Sequence, residues 1–194
     1  MWWRRWYPDR LIRLLPNLIS LARLILAPFI LWLIRAGEYE RALLFGTIAG
    51  ASDALDGYLA RRLHAESRLG AYLDPIGDKL LLSGAFLVFW LNGVTPWWLT
   101  ALVFGRDALI LLFVAAAMLF TRIRDFAPTV WGKLSTIIQV LTALILLISE
   151  TRWGPVIQPL VWPAIGATVL GTGWSAIHYA WVAVRMRRRE RGAR

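Results

Sequence analysis

Four aspartates are the residues of this sequence best placed to do chemistry. Asp53 and Asp56 stand three residues apart, Asp74 and Asp78 four apart, and both pairs lie in largely apolar segments. On helices, positions 53, 56, 57 and 60 share one face, and positions 70, 74 and 78 share another. Only a short polar stretch, residues 62–69, separates the two segments. They are therefore expected to pack as antiparallel neighbours with converging acidic faces. A carboxylate at membrane depth costs at least about 2.5 to 3.5 kcal/mol on insertion scales, and four of them repel one another. Hard divalent cations, Mg2+ or Mn2+, would offset that cost, since they prefer carboxylate oxygens and commonly share their coordination with a substrate phosphate. His64 and His178 are far apart and cysteine is absent, so no zinc site is expected. A proton or ion relay in a transporter, or a structural pairing with arginine, would use the same acids. The residue types alone leave these readings open.

The elements that must position the acids are membrane helices. Of the 194 residues 58% are hydrophobic, and they come in blocks such as 80–91, 108–120 and 137–148, each extensible to the roughly 20 residues that cross a bilayer core. The expected fold is all-α and polytopic. Six transmembrane helices are anticipated at Asn17–Ile34, Ala42–Arg61, Gly70–Leu91, Trp97–Phe120, Val130–Ser149 and Val161–Val184. Tryptophans 2, 3, 6, 97, 98, 131 and 153 fall near the proposed interfaces, the depth that aromatic rings favour. A soluble bundle would need polar outer faces that these segments lack. Pro75 either starts a helix with Asp74 as its cap or kinks one begun near Ser67.

The net charge of +10 is unevenly distributed. Arg4, Arg5, Arg10 and Arg13 precede the first span, Arg61, Arg62 and Arg68 follow the second, Arg122, Arg124 and Lys133 follow the fourth, and an arginine-rich tail follows the sixth. Arg35, Arg41 and Arg152 on the opposite side are matched in number by Glu38, Glu40 and Glu150. Both termini are thus expected in the cytoplasm, with anionic headgroups, not nucleic acid, as the partner of the basic residues. Residues 1–15 mix Trp, Tyr and Leu with Arg as an interfacial amphipathic helix would, and no small-residue cleavage site of a signal peptide follows them. With no repeat or long hydrophilic region, residues 1–194 read as one membrane domain, ending in a basic cytoplasmic tail at 185–194.

Taken in order, Asp53, Asp56, Gly57, Ala60, Arg61, Gly70, Asp74 and Asp78 match all eight fixed positions of the CDP-alcohol phosphatidyltransferase signature. The sequence resembles that family beyond the signature too. Pro16, Asn17, Ser20 and Arg23 are similar to its amino-terminal segment, and the runs at 105–110 and 132–139 to the fourth and fifth spans of its glycerophospholipid branch. The resemblance implies an integral multi-pass enzyme of a cell membrane, commonly a homodimer, with two divalent ions at the cytoplasmic boundary. It implies Asp53, Asp56 and Asp74 as metal ligands, and Asp78 as general base and further ligand. Asp53, Asp56, Gly57, Ala60, Arg61 and Gly70 would hold the CDP group. It further implies phosphatidyl transfer from CDP-diacylglycerol, with release of CMP, to phosphatidylglycerol (giving cardiolipin) or glycerol 3-phosphate (giving phosphatidylglycerophosphate).

The blander readings are plain. Gly57 and Gly70 would also let membrane helices pack closely, and topology alone would place Arg61. Arg106 and Lys133 are candidates for binding an anionic acceptor, although an Arg106–Asp107 ion pair and a snorkelling Lys133 account for them equally simply. The chief alternative function is a transporter or ion relay, which would distribute its acids across the membrane and not along one edge. An inactive scaffold binding CDP-lipid is disfavoured by the complete set of four aspartates.

Overall fold

The computed structural model describes the backbone of residues 25–63, 68–120 and 130–192, and the side chains of these apart from 53–78, 111–120, 179–180 and 182–192. The expected interfacial helix at 1–15, the start of the first expected span and His64 lie outside the described residues. Among the described residues there are six helices and no strand: α1 (Ile25–Arg35), α2 (Tyr39–Leu63), α3 (Arg68–Leu91), α4 (Trp97–Phe120), α5 (Val130–Ser149) and α6 (Gly154–Gly192). The fold is all-α. The chain divides into two compact units, Met1–Asn92 and Gly93–Arg194.

In the first unit, α1 stops where Gly37 takes a positive φ of 79°. The Glu38 amide donates back to the Leu33 carbonyl (2.9 Å) and the Gly37 amide to Ile34 (3.1 Å), the paired bonds of a Schellman cap. The Glu38 carbonyl then accepts the Ala42 amide (2.9 Å) and opens α2. Ala27, Ile30, Leu33 and Ile34 of α1 are buried, as are Ala85, Phe86, Val88 and Phe89 of α3. A Cβ built on Gly84 would meet Leu31 Cδ1 at 2.5 Å, so the Leu31 side chain of α1 lies directly against the α3 backbone there. Because Gly37 sits in the left-handed region, Gly37→Ala should cost about 1 to 2 kcal/mol. A thermal melt followed by tryptophan fluorescence checks this.

Pro75 lies inside the continuous helix α3. Asp74 is therefore not a helix cap, and Pro75, lacking an N–H, leaves the Ala71 carbonyl without its intrahelical donor.

The second unit is held by polar contacts. Gly132, Ser135, Gln139, Thr142 and Leu146 line one buried face of α5, opposed by Ala164, Thr168, Thr172 and Ser175 of α6. Gln139 Nε2 donates to Thr172 Oγ1 (3.0 Å), Thr168 Oγ1 to Thr142 Oγ1 (2.8 Å) and Thr142 Oγ1 to the Ala164 carbonyl (3.1 Å). The outward faces are apolar: Ile137, Val140, Leu141 and Leu144 on α5, and Leu160, Trp162, Leu170 and Ile177 on α6, are exposed. Polar inside and apolar outside is the arrangement lipid demands, because helices there gain nothing from hiding leucine and gain from small residues and hydrogen bonds at their contacts. Val130–Ser149 and Gly154–His178 are long and apolar enough to cross a membrane.

The helix bounds differ from expectation mostly at α6, which begins at Gly154 and not Val161 and runs on to Gly192. Pro155 is accommodated at its start, where amides have no intrahelical partner to lose. Pro159 and Pro163 lie inside the helix and leave the carbonyls of Pro155 and Pro159 without their intrahelical donors. Its far end continues because arginine, methionine and glutamate favour helix in water as well.

Candidate functional site

Every position of the signature falls on a helical backbone: 53, 56, 57, 60 and 61 on α2, and 70, 74 and 78 on α3. Their side chains are outside the described residues. Their positions along α2 and α3 are set by the ends of the two helices.

At one end, only four residues separate Leu63 from Arg68. At the other, Asn92, which caps α3 through its own amide to the Val88 carbonyl (2.9 Å), donates from Nδ2 to the Tyr39 hydroxyl at the start of α2 (3.1 Å) and to the Ile34 carbonyl (2.7 Å). Its Oδ1 accepts from Arg35 Nη1 (2.9 Å). The helices are 25 and 24 residues long. At roughly 1.5 Å per residue, Asp53 lies about 15 Å along α2 from Leu63 and Asp78 about 15 Å along α3 from Arg68, with Asp56 and Asp74 each about 10 Å from the same helix ends.

The charged residues of the second unit are placed differently. Arg106, on α4, is only 6% exposed. Its Nη1 donates to Asp107 Oδ1 at 2.7 Å and its Nη2 to the Gly132 carbonyl of α5 at 2.9 Å, while its buried Nε has no hydrogen-bond acceptor among the described residues. Lys133, one residue beyond that carbonyl, is exposed. The ion-pair geometry anticipated for Arg106 is therefore present, and its Nε–H is not engaged by any described residue. Ser135 Oγ, Ser175 Oγ and His178 Nδ1 are also buried without a hydrogen-bond partner among the described residues.

Among the described side chains, no cluster of three or more His, Asp or Glu offers a rival metal centre. Sequence reasoning missed Asn92. A single polar residue at the end of an apolar helix reads as ordinary capping, and nothing local tells that its amide reaches two other elements. The small and polar positions 132, 135, 139 and 142, at alternating spacings of three and four, did carry a signal for the buried α5 face.

The sequence matches the family model of the CDP-alcohol phosphatidyltransferases over residues 13–181. A CMP-forming cardiolipin synthase of Streptomyces coelicolor is 32% identical over 188 residues, covering 91% of this chain and 81% of that protein. A fission yeast (Schizosaccharomyces pombe) protein, named as a fusion of CMP-forming cardiolipin synthase with a mitochondrial hydrolase, is 35% identical over 151 residues, 70% of this chain and 25% of that one. A CDP-diacylglycerol–glycerol-3-phosphate 3-phosphatidyltransferase of Aquifex aeolicus is 36% identical over 134 residues, 66% of this chain and 72% of that one.

Proposed function

The chain belongs to the CDP-alcohol phosphatidyltransferase family, and on that premise we propose that it transfers the phosphatidyl group of CDP-diacylglycerol to phosphatidylglycerol, releasing CMP and forming cardiolipin. The observation that carries this reading is the complete acidic signature on two helices, with its aspartates about 10 to 15 Å from the helix ends that the short connection joins. Support for the acceptor comes from the Streptomyces relative, which aligns with nearly the whole chain. Glycerol 3-phosphate is the second reading, favoured by the Aquifex relative.

Asp53, Asp56, Asp74 and Asp78 form an all-oxygen donor set, which suits a hard divalent cation, Mg2+ or Mn2+, and gives no soft ligand to favour copper or zinc. The chemistry that a pair of such ions supplies when bound is neutralisation of the diphosphate and of the departing CMP. The residues do the rest. Asp78 takes the proton of the acceptor hydroxyl as its oxygen bonds to the phosphorus carrying the diacylglycerol and the bond from that phosphorus to the CMP oxygen breaks. Gly57, Ala60 and Gly70 keep the helix surfaces low beside the nucleotide, and Arg61 forks onto a phosphate. Arg106, through its Nε–H, and the exposed Lys133 are the candidates for holding the acceptor's phosphate.

The rest of the reading is a six-span, multi-pass enzyme of a cell membrane with both termini cytoplasmic, working as a homodimer. A transporter relay is less favoured, because the acids keep to one stretch of each helix and do not extend along its length.

The test is purified protein in lipid nanodiscs with labelled CDP-diacylglycerol, Mn2+ or Mg2+, and each acceptor in turn. Metal-dependent CMP release with phosphatidylglycerol, and a product that migrates as cardiolipin, is the expected outcome. Release with glycerol 3-phosphate alone would move the assignment to the second reading. No release with any acceptor from well-folded protein would overturn the transferase.

A further inference from the structure

Asn92 does more than end a helix, and we infer that it is a positioning residue for the acidic site: by clasping the start of α2 to the end of α3 it fixes the axial offset between Asp53 and Asp78. The inference rests on the reading above, that the aspartates bind divalent metal.

The offset needs such a device. A carboxylate cage works only within about 0.5 Å of its productive geometry.

At the helix ends away from the Leu63–Arg68 connection the chain supplies a specific lock. The two Nδ2 hydrogens of Asn92 go to the Ile34 carbonyl and the Tyr39 hydroxyl, and its Oδ1 takes Arg35 Nη1. One side chain thereby binds the last turn of α1, the first residue of α2 and the end of α3. The Schellman turn at Gly37 makes α1 and α2 a fixed corner, so the lock acts on α2 as a whole. The helices being rigid rods, an offset set at the clasp is carried about 20 Å to the aspartates.

The test reads the register and the metal separately. The chain has no cysteine, so nitroxide labels can be confined to Leu44→Cys and Leu87→Cys. Both positions are exposed, and they stand equally far from Tyr39 and Asn92. Pulsed electron resonance then gives the spacing of α2 and α3 without metal or substrate, and Mn2+ titration of the unlabelled protein gives affinity without turnover.

In Asn92→Ala, and in Asn92→Asp, which keeps the shape but loses both donors, the label distances are expected to broaden. Mn2+ affinity should weaken about tenfold, the low end for losing a group that orients metal ligands. The Mn2+ concentration giving half-maximal CMP release should rise in proportion, with the rate recovered at saturating Mn2+. Tyr39→Phe should do the same to a smaller extent. Thr142→Val, which removes a buried helix contact in the other unit, controls for mere loss of stability and should leave affinity and distances unchanged.

Unchanged distances and affinity in Asn92→Ala, or an equal loss of affinity in Thr142→Val, would overturn the inference. Native protein that binds no Mn2+ would instead overturn the metal reading, an outcome that the metal-free label distances separate from failure of the clasp.

Discussion

Asp78→Asn should lower CMP release by about 10² to 10⁴-fold, the worth of a positioned general base. The substitution conserves volume and keeps one carbonyl oxygen for a cation, but an amide cannot accept the proton of the attacking hydroxyl. The loss should therefore persist at saturating Mn2+, while Mn2+ still binds to a protein retaining Asp53, Asp56 and Asp74. The measurement is labelled CMP release, paired with Mn2+ titration of the same preparation. Activity restored by added metal would reassign Asp78 as a ligand alone. Activity near that of the native protein would remove it from the chemistry.

The second large effect is expected at Arg106. Its guanidinium is buried between Asp107 Oδ1 and the Gly132 carbonyl, so Arg106→Met takes the cation from a buried pair. Such a loss should cost about 1.5 to 3 kcal/mol, the worth of a hydrogen bond between charged groups, because the 2.7 Å contact with Asp107 is removed. Removing both members, Arg106→Met with Asp107→Leu, should restore much of the stability, since apolar replacement of a whole buried pair is often neutral. Thermal unfolding in detergent measures both. The double variant also separates structure from recognition: stable protein that no longer uses phosphatidylglycerol supports Arg106 as an acceptor ligand, and stable, active protein relieves it of that role.

Much of this arrangement was legible in the sequence, for physical reasons that differ from element to element. The bounds of α4 and α5 agree with expectation, Trp97–Phe120 and Val130–Ser149, because long apolar runs flanked by Trp, Pro and charge mark where the helix ends. At α6 the apolar run and the helix part company. Hydropathy reports the passage out of lipid, and nothing in the backbone requires the helix to stop there. Pro75 could not be resolved from sequence, since a proline at a helix start and one inside a helix present the same local pattern. The carboxylates were legible because an acid in an apolar run is costly enough to demand a reason. Asn92 was not, as the worth of an amide depends on what it reaches, here α1 and α2 at up to 58 residues' distance in the sequence.

The length of α6 limits what its arginines can do. A hydrocarbon core of about 30 Å takes roughly 20 residues of helix, and this one has 39. Beyond His178 it continues for about 20 Å, two or more screening lengths in physiological salt. A rod standing upright would carry its last arginines out of electrical reach of the phosphates, leaving only those nearest Arg185 to feel them. To bring the whole run to the headgroups the helix must lean steeply, and the same lean would tilt the threonine-lined seam it shares with α5.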